Sequence, residues 1–368
     1  MKNLVSILVP RQVLLLLILS TGLLNHVLLL PNLLLASGRD SWLSVMITYP
    51  IALLLVWCIY YIAKHNNPEG FYPAIRKRFG SMVYYAMGAP LILFLISSAY
   101  ITFKDLMIWL KAYFLVDYSI FIITILLLVV CFIVTLAGIK YMAISAGVLL
   151  PLVVLAGIFI SITNTPLKDP SLLFPVMSNG LLPILKGMMY TLSGLLEVYL
   201  VVLLQPYMQS RLKRKHLLIL VTFLTILIFG PLSAAIMEFG PMQANHFRYP
   251  AYEQWRIMNI GQYVSHLDFL ALYQWLCGAV IRIGLFMFLA GAFFTKQIKH
   301  YKLRPFSILL LYGLLLVLML VKLETYTFYQ WIYRYFLPAC MFLFVGQIVL
   351  ATLLTILMKK REDKHEGA

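Results

Sequence analysis

The chain has 368 residues, 62% of them hydrophobic and only 11% charged, with a mean hydropathy of +0.93. A soluble chain carries about 25% charged residues, and no single soluble core absorbs such an apolar excess. The net charge of +16 does not indicate a nucleic-acid partner, because the basic residues stand in short clusters between apolar runs, as in membrane-protein loops.

The runs predict an all-α integral membrane protein with one transmembrane domain over residues 1–368. The first run, 12–36, is longer than the apolar core of a signal peptide, so it reads as an uncleaved span despite Lys2 and Arg11 before it. The second covers 42–63, the third 82–109, the fourth 119–137 and the fifth 139–162. Only Gly138 separates the fourth from the fifth, which predicts a tight helical hairpin. After a loop with Pro166, Pro170 and Pro175, the sixth covers 181–208 and the seventh 217–237. An outer loop, 238–266, precedes the eighth, 267–297; the ninth is 306–321 and the tenth 331–358. Cys58, Cys131, Cys277 and Cys340 each lie inside a run and read as small buried hydrophobes.

Alternate loops collect the basic residues. Arg76, Lys77, Arg78, Lys213, Lys299 and Lys360 fall on one side with their neighbours, whereas Arg39, Lys111, Lys168, Arg248 and Arg256 fall on the other. The two sides hold 19 and 7 basic residues. The positive-inside rule then places both termini in the cytoplasm and makes the number of spans even.

Ten spans divide into halves of five. An odd number per half inserts the second half upside-down, giving a five-plus-five inverted repeat whose ligand site lies where the first helix of each half is broken. Ser20-Thr21-Gly22 and Asn25-His26 interrupt the first run, and Thr191-Leu192-Ser193-Gly194, followed by Glu197, interrupts the sixth at a matching place. The competing explanation is small residues placed for close helix packing. The expected ligand-binding set takes Thr21, Gly22, Leu23, Leu24 and Asn25 from the first span and Ser193, Gly194, Leu195 and Glu197 from the sixth. Ser98 and Thr102, on one face of the third span, complete it with Gln274 and Gly278, which share a face of the eighth with Arg282. Leu23, Leu24, Leu195 and Leu196 favour a small or apolar ligand side chain. A charge at membrane depth costs about 2.5–3.5 kcal/mol, so Glu197 and Arg282 are expected as a buried ion pair. Lys104 and Asp105, nearer a span end, read as structural or snorkelling groups.

No HExxH, Walker A or GxSxG motif is present and the histidines are scattered, so no catalytic residue, cofactor or metal is expected. The most distinctive stretch is the outer loop. It reads Glu238-Phe239-Gly240-Pro241, then Arg248-Tyr249-Pro250-Ala251-Tyr252-Glu253-Gln254-Trp255-Arg256, Gly261, His266-Leu267-Asp268-Phe269-Leu270 and Tyr273-Gln274-Trp275. With Ser193-Gly194-Leu195-Leu196-Glu197, this resembles the B-subunit family of nutrient germinant receptors from endospore-forming bacteria, across the whole chain in length, span count and loop placement. His266 stands where many relatives carry Arg or another strong base. The resemblance implies the fold of the amino acid–polyamine–organocation transporters. It also implies a sensor of a small nutrient, commonly an L-amino acid, in the spore inner membrane. The partners it implies are a membrane-embedded A subunit and a C-subunit lipoprotein. An amino-acid or cation symporter of the same fold is the alternative function.

Overall fold

The computed structural model describes residues 7–66, 70–259, 267–294 and 303–366. Gly261 and His266 of the outer loop, the end of the eighth run, and Lys2, Lys296, Lys299 and Lys302 lie outside the described residues. The described chain is helical throughout, with turns and loops between helices and no strand. Eight helical stretches are long and apolar enough to cross a membrane. The first, Pro10–His65, runs 56 residues and turns at Gly38 (φ 53), and Pro305–Leu320 adds a shorter apolar helix.

In chain order the long helices are α1 (Pro10–Leu23, a π turn at Leu24–Leu28, then Leu29–Ser37), α2 (Ser41–His65), α3 (Phe71–Tyr113), α4 (Ile120–Ala137) and α5 (Ile139–Thr163). They continue with α6 (Leu181–Leu195, extended by tighter turns to Tyr207), α7 (Arg214–His246), α8 (Phe269–Phe294) and α9 (Pro305–Leu320). The last is α10 (Thr325–Trp331, a π turn at Ile332–Phe336, then Leu337–Glu366). A short outer helix, Pro250–Arg256, lies between α7 and α8. Several helices outrun the apolar windows expected for them. α3 starts at Phe71 rather than Met82, across a break at Gly80, and α7 continues past Gly240 (φ 76, ψ 155). α10 opens at Thr325 rather than Trp331. Hydropathy marks the part of a helix that suits hydrocarbon, whereas the backbone ladder continues into the polar interface.

Local chemistry sets the helix ends. Pro10 opens α1, where a missing N–H costs nothing, and the Gln12 side chain accepts from the Val9 N–H at 3.1 Å. Gly138 alone joins α4 to α5 at φ 91 and ψ 171, a conformation that strains an L side chain. Just before α1, the N–H groups of Ile7 and Leu8 both donate to the Tyr207 carbonyl at 2.9 Å. The start of α1 is thereby tied to the end of α6.

Burial then sorts the helices. The most apolar window of Leu181–Tyr207 is 83% buried, whereas that of Ile120–Ala137 is only 17% buried. α8 packs on α3 and α1, and α1 packs on α5 and α6, so α1, α3, α6 and α8 form the centre. The rim shows large exposed aliphatic side chains such as Leu126, Leu155 and Leu310, the surface that lipid requires. The side carrying Lys168 and Arg256 is termed outer, following the charge asymmetry.

Candidate functional site

Arg282 of α8 is fully buried and joins four central helices. Nη1 and Nη2 donate to the two carboxylate oxygens of Glu197 on α6, each at 2.7 Å. Nη2 also donates to Ser98 Oγ at 2.7 Å, and Nε to Thr102 Oγ1 at 3.1 Å, both on α3. The second Nη1 proton goes to the Ser20 carbonyl of α1 at 3.2 Å. All five guanidinium N–H groups are thus used, and the cation lies over the Phe286 ring at 4.3 Å. A tightened turn at the end of the first segment of α1, just before the π turn, explains why that carbonyl is available. Leu24 N–H bonds the Thr21 carbonyl instead of that of Ser20, so the Ser20 oxygen is left for Arg282.

The winding of α1 and α6 changes near their crossing. Ser20-Thr21-Gly22 and Thr191–Gly194 are regular helix, while the π turn takes Leu24–Leu28 and a 3-10 turn takes Leu196–Tyr199. The interruptions therefore follow the glycines and stay helical. A Cβ on Gly194 would meet Asn25 Oδ1, and Leu29 Cδ2 at 3.0 Å, so the two helices touch at this point. Ser193 Oγ is used locally, donating to the Tyr190 carbonyl at 2.6 Å, and Leu24 and Leu195 are core. Yet Ser20 Oγ, Thr21 Oγ1 and both amide atoms of Asn25 are buried with no hydrogen-bond partner among the described residues. A polar group left so costs about 1–3 kcal/mol, which gives these groups a use for a further hydrogen-bond partner.

The opposite face of α1 borders a cavity of about 380 Å³, walled by α1, α5, α7 and α8 and roofed by the outer helix. That volume lies within the range of about 300–1,000 Å³ in which proteins hold small molecules. Gly22, Leu23, Gln274 and Gly278 line it. Gly278 lets α8 approach α1, since a Cβ would lie 3.1 Å from Leu23 Cβ. The structure thus divides the expected set. Thr21, Leu24, Asn25, Ser98, Thr102, Ser193, Gly194, Leu195 and Glu197 lie at the central crossing and do not line the cavity.

Residues that the sequence reading did not assign to a site complete the cavity. Pro231 has no N–H to give the Leu227 carbonyl, and the His26 ring of α1 lies near that backbone. Gln254 of the outer helix donates to the Pro231 carbonyl at 2.8 Å, and Gln274 donates to that of Val153 at 2.8 Å. Lys168 and Glu238 stand at the outer rim. The roof is held in turn by an aromatic group in which Trp109 stacks on Trp275, ring centres 4.0 Å apart. Tyr252 OH donates to Asp268 at 3.0 Å; burial first, and then this bond, raise the phenol above its ordinary range and keep it a neutral donor. Beside the roof, buried Asp105 accepts from Arg248 at 3.1 Å, Tyr249 at 3.3 Å and Tyr329 at 3.0 Å. Its adjacent residue Lys104 points elsewhere, toward the Val321 carbonyl at 3.4 Å. The sequence signal for the cavity was slight: a proline inside α7, which frees a carbonyl, and a lone histidine facing it.

Lipid-facing helices around a buried polar crossing and a side cavity define an integral membrane protein of the transporter-like class. The profile of the spore germination protein family, the spore permeases, matches residues 8–328, and the chain belongs to that family. It is similar to Spore germination protein XB of Bacillus anthracis, with 34% identity over 356 residues, covering 97% of this chain and 99% of that protein. Among the outer-loop residues that carry the family resemblance, Ala251, Tyr252, Gln254 and Trp255 line the roof of the cavity, and Arg248 and Tyr249 bond Asp105.

Proposed function

We propose that the chain is the ligand-sensing membrane subunit of a spore germinant receptor and that a small nutrient, an L-amino acid, binds in the cavity beside α1. One observation carries this reading: α1 separates the cavity, lined by Gly22 and Leu23, from the polar crossing, where Thr21 Oγ1 and the Asn25 amide have no hydrogen-bond partner among the described residues. A ligand that fills the cavity favours one position of α1, and the unpartnered groups give a second position something to gain. That is a population shift between two arrangements of the bundle. An A-type membrane subunit and a C-type lipoprotein would read the shift. The expected setting is the spore inner membrane, with ten crossings and both termini on the core side.

The symporter reading is supported by the family's permease character. Against it, both carboxylate oxygens of Glu197 at the crossing already accept hydrogen bonds from Arg282. Dose–response curves of germination test the receptor reading. Leu23→Ala and Phe223→Ala, at two residues that line the cavity, are expected to move the nutrient midpoint while protein amount stays near normal. Unchanged midpoints, together with accumulation of labelled L-amino acid against a gradient in vesicles, would favour the symporter.

A further inference from the structure

The outer end of the cavity carries an amine and a carboxyl group on one rim, Lys168 and Glu238. Pro241 lacks the N–H that would bond the Met237 carbonyl, and the Asp169 N–H donates to that carbonyl at 3.0 Å. This bond anchors the α5–α6 loop on α7 and sets Lys168 on the same rim as Glu238, whose carboxyl is pushed up to about 7 by burial, with the Lys168 charge and the Asn164 side chain acting the other way. Glu238 Oε2 is buried and has no hydrogen-bond partner among the described residues. Lys168 Nζ donates to the Ser161 carbonyl at 2.7 Å, which leaves two of its three protons for another acceptor. Below this rim the walls are apolar, with Leu23, Val154, Phe223, Ala234 and Trp275.

We infer that this rim is a zwitterion clamp: Glu238 receives an α-ammonium, Lys168 receives an α-carboxylate, and a branched or aromatic apolar side chain fills the cavity below. The ligand class is therefore the free α-amino acid with a large apolar side chain. Glycine leaves the walls unfilled, and a charged side chain would be buried without a partner. The inference rests on the sensing role proposed for the cavity and names the ligand chemistry of that same site. The competing occupant is a lipid acyl chain, since Ile158 and Ile226 on the flank of the cavity are exposed at the side of the bundle.

Trp255 and Trp275 line the cavity, so intrinsic fluorescence of the full chain in lipid nanodiscs reports occupancy. The probes are L-leucine, L-phenylalanine, glycine, N-acetyl-L-leucine and L-leucine methyl ester. L-Leucine and L-phenylalanine are expected to bind. Glycine and both blocked leucines should bind roughly 10-fold more weakly or worse, the effect of one lost charged or apolar contact. Glu238→Gln should remove the penalty of acetylation and keep that of esterification, and Lys168→Gln should do the reverse. Blocked leucines that bind as well as L-leucine would point to an acyl-chain site and overturn the clamp, as would no binding of any free amino acid. Penalties that survive both substitutions also overturn it; if Ala234→Phe then still abolishes binding, the sensing role of the cavity stands without the clamp. If Ala234→Phe also leaves binding unchanged, both fall.

Discussion

Removing the Glu197 carboxylate leaves the Arg282 cation at 0% exposure with no counter-charge. Breaking such a pair costs about 3–5 kcal/mol. Glu197→Ala is expected to lower both the melting temperature of the solubilised chain and the amount recovered, and Glu197→Gln to do so less, because it keeps one acceptor. A Glu197→Ala chain that melts with the wild type would mean that Arg282 reaches solvent. Arg282→Lys is expected to be destabilising as well, since an ammonium offers three donors without the fork that spans α1, α3 and α6. The structure pairs Glu197 with Arg282, two of the few charges at membrane depth, and that scarcity made the pair legible in the sequence. The partner of Asp105 was not legible, because Arg248 comes from a loop far along the chain while Lys104 is adjacent and points away.

At the scale of the helix, the boundary at Gly138 was legible, because glycine allows a backbone conformation that other residues avoid, whereas the start of α1 at Pro10 lay two residues before the apolar run. The π turns at Leu24–Leu28 and Ile332–Phe336 were not legible, since neither stretch holds a glycine or proline to mark a change of winding. α7 offers a test of repair between helices. His26→Leu removes the ring that lies near the Leu227 carbonyl and is expected to cost about 1 kcal/mol, a typical net hydrogen bond. In a Pro231→Ala background the helix supplies its own N–H, so the same substitution should cost much less. Equal costs in the two backgrounds, measured by a double-mutant cycle of melting temperatures, would remove this role for His26.

For the whole molecule, the order of the apolar helices was legible because the bilayer imposes a length rule on every crossing, and the charge rule gives the expected sidedness of the loops. The cavity was not, because its walls come from four helices distant in sequence and carry ordinary aliphatic residues. Cysteine labelling of intact cells checks the sidedness. Lys168→Cys and Arg256→Cys are expected to react with an impermeant reagent from outside, and Lys213→Cys only after permeabilisation. External labelling of Lys213→Cys would contradict the ten-crossing arrangement. The central claim is that a nutrient occupies the cavity beside α1 and is sensed there. The most direct measurement is the germination dose–response of spores carrying Ala234→Phe, which adds a ring to a buried wall of that cavity at the outer end of α7. The account predicts a higher midpoint or a lost response, with the chain present at its normal amount. An unchanged midpoint and an unchanged ranking of nutrients, at normal amount, would contradict it.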